Sequence, residues 1–294
     1  MTTSLSPEAL QKIKRLDLRA QMVVRGFLQG LHTSPLQGFS VQFSEHRRYN
    51  RGDDPKLIDW LVYAKTDKYY VKRFEAETNL TGYLVMDLSK SMGFGRDGMS
   101  KFEYATCLAA SLTYLMTMQQ DPIGVLTFRD KLRALLPARS RRGHLGDVMA
   151  SLSSMKPDGT TDLPTALTQV AAMMRHSSLI MLFSDLLAEP AETIAALARL
   201  RHSGHDVIVF HVLDAAEIDF PFEGPVEFED PETGEVVTVD AGGFRDEYLN
   251  RLDSFRSLYQ EGCSRLRVDY VPLNTSEPFD TALTEYLLQR QAKF

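Results

Sequence analysis

Cysteine is scarce in this chain of 294 residues, which contains only Cys107 and Cys263. Neither cysteine has a second Cys or a His at the short spacing that zinc-binding motifs use. The sequence therefore gives no sign of a zinc motif, and we expect both side chains to be reduced thiols with a structural role.

Long apolar runs are also missing. No stretch approaches the ~20 apolar residues that a membrane-spanning helix needs, and the N-terminal residues lack the apolar core of a signal peptide. With 44% hydrophobic and 24% charged residues, the composition is that of an ordinary globular protein. We therefore predict a cytoplasmic protein without a membrane span, built from one large or two small domains.

No concentrated stripe of Lys and Arg occurs in the sequence, and the net charge is −6. Nucleic acid is therefore not an expected partner. The negative charge is concentrated between residues 214 and 240, which include ten acidic residues and no basic one. This segment follows a predicted strand. It is either a solvated loop or a structure that rises beside whatever site lies at that end of the sheet.

The pattern of apolar residues changes near residue 80. From Thr81 onward, strand-like and helix-like patterns alternate, which predicts an α/β domain with a mostly parallel central sheet flanked by helices. Before it, apolar residues at helical spacing predict one amphipathic helix from residue 7 to about residue 28. We predict an N-terminal helix and adjoining segment over 1–79, packed on a domain over 80–294 that carries an acidic insertion at 214–243.

Oxygen-bearing side chains follow three points of this alternating pattern. Asp87, Ser89 and Ser91 come directly after the apolar strand GYLVM, Asp185 ends the apolar strand LIMLFS, and Thr161 lies in a polar loop before a helix. The loops that follow parallel strands meet at one edge of a sheet. Two carboxylates and three hydroxyls suit a hard divalent cation, which predicts a magnesium or manganese site.

These residues carry a family resemblance. Asp87-Leu88-Ser89-Lys90-Ser91, with Thr161 and Asp185 in the right order, resembles the metal-ion-dependent adhesion site of von Willebrand factor A domains, over roughly 80–294. Thr161 fits the family's Gly-Gly-Thr pattern better than Thr160, which stays an alternative. Upstream, the segment Arg47–Trp60 and then Glu75-x-Glu77 resemble the signature of the bacterial domain-of-unknown-function family fifty-eight.

The resemblance implies a metal-dependent protein–protein interaction module and not an enzyme. In that reading Ser89, Ser91 and Thr161 hold magnesium directly, whereas Asp87 and Asp185 hold it through water. An Asp or Glu of a partner protein completes the coordination, and the family association implies a MoxR-type AAA+ ATPase as the partner. The Arg47–Trp60 segment is expected to be architectural or a second docking surface.

Two other functions stay open. The first is a magnesium-dependent hydrolase or phosphoryl-transfer enzyme at the same site, for which Lys90 and Asp162 are the only extra titratable groups nearby. The second is a scaffold whose metal site is vacant. The sequence GFGRDG at 93–98 matches GxGxxG, but five residues, 88–92, separate it from Asp87 at the strand end, which disfavours a dinucleotide site. His144 and His211 are expected at a helix surface and a strand end.

Overall fold

A computed structural model describes residues 7–11, 13–33, 46–48, 70–72, 81–96, 98–141 and 143–279. The chain divides into two compact units: Met1–Gly30 with Leu80–Phe294, and Leu31–Asn79. Among the described residues of the first unit, the helices are α1 (Pro7–Gln11), α2 (Leu16–Thr33, which runs into the second unit), α3 (Lys101–Met118), α4 (His144–Ser154), α5 (Leu163–Met173), α6 (Pro190–His202), α7 (Ala215–Asp219) and α8 (Ala241–Leu266).

The second unit contains the two short strands β1 (His46–Arg48) and β2 (Tyr70–Lys72), which pair antiparallel. The rest of the predicted Arg47–Trp60 signature, with Glu75 and Glu77, lies outside the described residues. The strands of the first unit are β3 (Gly82–Asp87), β4 (Ile123–Phe128), β5 (Leu132–Arg139), β6 (Leu179–Ser184), β7 (Asp206–Leu213), β8 (Pro225–Glu229), β9 (Val236–Asp240) and β10 (Asp269–Asn274).

Six of these strands form the central sheet, in the order β10-β7-β6-β3-β4-β5. All neighbours are parallel except β5, which pairs antiparallel with β4 at the edge. The predicted fold class is therefore confirmed. The chain runs from β3 outward to β4 and β5, then returns to the other side of β3 for β6 and β7. This reversal between β3 and β6 is where open α/β sheets form a ligand crevice.

Both faces of the sheet are buried because helices cover each one. Alternate strand residues, such as Val85, Leu126 and Leu182, pack with α5, α6 and α8 in one core. The residues between them, such as Leu84 and Met86, are equally buried on the opposite face, where α3 lies. Strands buried on both sides need a nearly continuous apolar sequence, which explains the runs GYLVM and LIMLFS.

Helix α3 begins with a capping box. The Ser100 hydroxyl accepts a hydrogen bond from the amide of Glu103, and the Glu103 carboxylate accepts one from the amide of Ser100. Together the two bonds satisfy two amides that a helix start leaves without partners. They fix the position of Lys101, the first residue of the helix.

The single helix predicted near the N-terminus is wrong, since the structure has the separate helices α1 and α2. The Arg19 guanidinium donates hydrogen bonds to the carbonyls of Gln11 and Ile13. Those carbonyls therefore do not continue a helical ladder, and residues 13–15 are not helical. Leu10 of α1 and Ala20 of α2 are buried within the first unit. Among the described residues, no helix is both long and apolar enough to cross a membrane.

Candidate metal site

Asp87 lies at the end of β3 and is fully buried. Its Oδ1 accepts a hydrogen bond of 2.9 Å from the amide of Ser89, and its Oδ2 accepts one of 2.6 Å from the hydroxyl of Ser184. The second bond links the ends of β3 and β6 across the crevice. Asp87 is therefore held in one orientation by the two strands that flank the topological reversal.

Ser89 and Ser91 follow Asp87 in a buried loop that enters a 3₁₀ turn over Lys90–Gly93. Their two hydroxyl oxygens are 3.0 Å apart. The loop is held by its backbone, because the amide of Lys90 donates to the carbonyl of Gly159 and the amide of Asp158 donates to the carbonyl of Leu88. These bonds bring the Thr161 loop beside the serine loop, as a shared site requires.

Thr161 has a buried hydroxyl oxygen without a hydrogen-bond partner. Polar atoms of this kind are uncommon, because leaving a buried hydroxyl unpaired costs about 1–3 kcal/mol. Thr160, the alternative ligand, is exposed. An unpaired hydroxyl beside Ser89 and Ser91 fits a ligand that needs another oxygen.

Asp185 follows β6 and is fully buried. Its Oδ2 accepts a hydrogen bond of 2.9 Å from the ammonium of Lys101, and the same ammonium donates one of 2.8 Å to Glu217. Burial by itself lowers the pKa of Lys101, but the two carboxylates outweigh it and the pKa is raised. Lys101 is thus a buried cation that joins the site to α7, and the sequence analysis missed it.

His211 contacts the backbone of Asp185. Its Nε2 donates a hydrogen bond of 3.0 Å to the Asp185 carbonyl, and its Nδ1 accepts one of 2.6 Å from the Tyr270 hydroxyl. Burial lowers the pKa of His211 to about 4. The prediction that His144 lies at a helix surface is wrong, because its side chain is buried. His211 lies near the end of β7, where a strand-end residue was predicted, and is buried as well. The Nε2 of His144 donates a hydrogen bond to the backbone carbonyl of Ile123.

The acidic insertion also contacts the site. Oε2 of Glu232, in the turn between β8 and β9, accepts a hydrogen bond of 3.2 Å from the amide of Thr161. Glu217, in α7, reaches the site through Lys101. Of the two readings of this segment, the structure thus favours the one in which it rises beside the site.

The electrostatics favour an added cation. Burial, followed by the charge of Asp185, raises the pKa of Asp87 to about 7. Burial also raises the pKa values of Glu217 and Glu232, and the charge of Asp185 contributes to both. Four carboxylates face one ammonium, that of Lys101, so the five side chains carry −3 when all are ionised. A divalent cation would relieve most of this charge.

The donor set also suits magnesium or manganese chemically. Hydroxyl and carboxylate oxygens are the preferred ligands of hard divalent cations. Among the described residues, no three or more His, Cys, Asp or Glu side chains come together in position to hold a metal ion. The five predicted ligands include only two side chains of these types, Asp87 and Asp185, because the other three are hydroxyls. Ser89, Ser91 and Thr161 would hold the ion, and Asp87 and Asp185 would orient its waters.

Gly95, within the GxGxxG match, has a packing role in the same loop. A Cβ at this position would lie 2.6 Å from the backbone of Ser100, and the carbonyl of the preceding Phe94 accepts a hydrogen bond from the amide of Lys101. The loop passes so close to the start of α3 that only glycine fits at position 95. This packing explains the glycine, and no bound nucleotide is needed to account for it.

Known proteins are similar to this chain in sequence and, in one solved structure, in fold. The uncharacterized protein Rv1480 of Mycobacterium tuberculosis (strain ATCC 25618 / H37Rv) is 29% identical over 261 residues, which cover 85% of this chain and 80% of that protein. The uncharacterized protein Mb1516 of Mycobacterium bovis matches to the same extent. Among solved structures, an aerotolerance-related membrane protein from Bacteroides fragilis NCTC 9343 is 20% identical, covers 71% of this chain and 99% of its own, and has a TM-score of 0.50. That likeness shows the fold alone.

A family model, described as a protein of unknown function, DUF58, matches residues 45–256. The matched range includes the Arg47–Trp60 segment, both strands that flank the candidate site, and the acidic insertion. Because the model spans well over half of the chain, this protein belongs to the DUF58 family.

Proposed function

We propose that this protein is a metal-dependent protein–protein interaction module. The observation that carries the proposal is the buried, unpaired hydroxyl of Thr161 beside the Asp87, Ser89 and Ser91 loop. A bound magnesium or manganese ion would supply an electrophilic centre at the edge of the sheet. Neutral hydroxyl ligands would leave the ion attractive to a carboxylate, so the partner presents an Asp or a Glu.

The proposed partner is a MoxR-type AAA+ ATPase, with this protein acting as its adaptor in the cytoplasm. This part of the proposal rests on the family resemblance of the Arg47–Trp60 segment. A pull-down with the purified ATPase, in magnesium and then in EDTA, tests it directly. Capture of the ATPase in magnesium, with loss of capture in EDTA and by the Asp87→Asn variant, supports the adaptor role. Capture that is unchanged by EDTA and by the substitution contradicts the metal dependence.

A vacant-site scaffold is the second candidate, and Lys101 is the observation that favours it. The ammonium of Lys101 already neutralises part of the charge on Asp185 and Glu217. In a scaffold, that ammonium would replace the divalent ion, and partner binding would ignore chelators. The two candidates therefore differ in one measurable property, the response of the protein to divalent metal.

The hydrolase alternative has no such support among the described residues. Asp162, one of its two candidate groups, caps α5 by accepting a hydrogen bond from the amide of Thr165. The other, Lys90, is exposed. We therefore propose a binding function without catalysis.

Thermal unfolding in EDTA, magnesium and manganese tests the metal site. Metal at ~100 times its dissociation constant should add about 2.7 kcal/mol to the free energy of unfolding of the wild type. Asp87→Asn should lose this increment, because the amide cannot balance the charge of the ion. Asp158→Asn is the matched control, since Asp158 is exposed and pairs only with Arg129 among the described ion pairs. No metal-dependent shift in the wild type would contradict the proposal and favour the scaffold.

A further inference from the structure

The turn between β8 and β9 is built to present one side chain. The Asp230 carboxylate accepts hydrogen bonds of 2.8 Å from the amide of Glu232 and from the hydroxyl of Thr233. The amide of Gly234 donates to the Asp230 carbonyl, and Gly234 has φ of +74°. Because these bonds lie within the turn, the backbone that carries Glu232 is fixed.

Glu232 is the exception in this turn. Its neighbours from 229 to 238 are exposed, whereas Glu232 is partly buried. Its carboxylate accepts the hydrogen bond of 3.2 Å from the amide of Thr161, whose own hydroxyl is buried and has no partner. The side chain therefore points from an otherwise solvated hairpin into the candidate metal site.

An aromatic cluster fixes the base of the hairpin near the site. Phe220 packs against Phe228 of β8 and against Tyr248 of α8, with ring centroids 5.7 and 4.6 Å apart. Arg96, in the loop that follows the serines, lies over the ring of Phe222 at 4.7 Å. The hairpin is thus anchored at its base, and its tip reaches the site through Glu232.

Among the ion pairs of the described residues, none involves Glu232. The hydrogen bonds of Lys101, the buried cation of the site, go to Asp185 and Glu217 instead. A carboxylate bonded to the Thr161 loop, which also brings an unpaired hydroxyl to the site, has the oxygen chemistry of a ligand to a divalent ion.

We propose that Glu232 is the chain's own carboxylate ligand for the cation at this site, in the coordination position that a partner's Asp or Glu takes. The inference rests on the proposed function, because it requires the metal. It adds that Glu232, at the tip of the β8–β9 hairpin, competes with the partner and is displaced when the partner binds. A two-stranded hairpin outside the central sheet is suited to this because it is only marginally stable by itself.

The test is manganese binding to the full chain by calorimetry, for the wild type, Glu232→Gln and Glu235→Gln. Glu235 is the matched control, because it is an exposed glutamate in the same turn. Loss of a ligand charge should weaken manganese binding by about tenfold or more in Glu232→Gln. Glu235→Gln should bind manganese as the wild type does.

Hydrogen exchange of the amides at 230–238 gives a second readout. Magnesium should slow exchange in the wild type and in Glu235→Gln but not in Glu232→Gln. Acetate, the simplest carboxylate probe, should then speed exchange in the magnesium-loaded wild type. Unchanged exchange at saturating acetate overturns the displacement of the hairpin.

The outcomes separate the two proposals. Equal manganese affinity in all three proteins overturns the role of Glu232 and leaves the metal-dependent function standing. A wild type that binds no manganese overturns both.

Discussion

The ammonium of Lys101 lies 2.9 Å from Oδ2 of Asp185, although the two residues are 84 positions apart in the chain. The side chains of both are almost completely buried, at 1% and 0% exposure. A buried charge is costly unless an opposite charge pairs with it. This ion pair therefore sets both the orientation of Asp185 and the charge that a divalent ion would meet.

Lys101→Met should strongly destabilise the metal-free protein. The substitution keeps the length of the side chain but leaves Asp185 and Glu217 without their cation, and removing one partner of a buried pair costs about 3–5 kcal/mol. Urea unfolding in EDTA measures the loss. Lys131→Met is the control, because Lys131 is exposed and its replacement should change the free energy of unfolding by less than about 0.5 kcal/mol. A similar small effect at Lys101 would contradict the role given to this ion pair.

Thr161→Val should separate a metal ligand from a merely buried hydroxyl. Because the Thr161 hydroxyl has no partner, its loss should leave the stability in EDTA unchanged or raise it. The stabilisation by manganese should disappear, although the amide that binds Glu232 is kept. Thr106→Val is the matched control, since Thr106 on α3 also has a buried, unpaired hydroxyl. Retention of the full manganese shift in Thr161→Val would exclude Thr161 as a ligand.

His211 should make the protein less stable as the pH falls. Burial holds its pKa near 4, with Arg256 and Lys101 also lowering it and Asp185 raising it, whereas an unfolded chain has a His pKa of ~6.5. Between these values the unfolded chain takes up a proton that the native protein does not. The free energy of unfolding therefore falls as the pH drops through this window, by at most about 1.4 kcal/mol per pH unit.

His211→Gln should remove this contribution, because an amide does not titrate but still offers a donor and an acceptor. Urea unfolding of both proteins in EDTA, from pH 7 to pH 4, gives the difference. The raised pKa of Asp87 has the opposite effect, since it increases the free energy of unfolding as the pH falls. Because Asp87 is present in both proteins, its effect cancels in the difference between them. Parallel pH profiles would show that His211 is not held neutral.

The two cysteines should not react in the native protein. Cys107 and Cys263 are free and fully buried, and burial raises the pKa of each to about 12. Because the thiolate is the reactive form, a thiol-specific aromatic disulfide reagent at pH 8 should label neither residue within minutes. In urea both should react at once. Rapid labelling of one native thiol would indicate local opening at that helix.

Much of the fold was predictable from neighbouring residues. The apolar runs before Asp87 and Asp185 identify strands buried on both faces, and the spacing of Ser100 and Glu103 marks the start of α3. These patterns depend on interactions within a few residues, so they are visible in the sequence. The meeting of Asp87 and Asp185 followed from the rule that parallel strands end at one edge of the sheet.

The sequence by itself determined which oxygen-bearing side chains stand at the strand ends, because strand periodicity and loop position are local properties. Only the tertiary structure decided that Lys101 pairs with Asp185 and that Glu232 bonds to the Thr161 loop. Those contacts span 84 and 71 positions, and no local pattern encodes which distant charge faces a site. They arise because the sheet order, the anchored hairpin and the start of α3 bring these residues to one crevice.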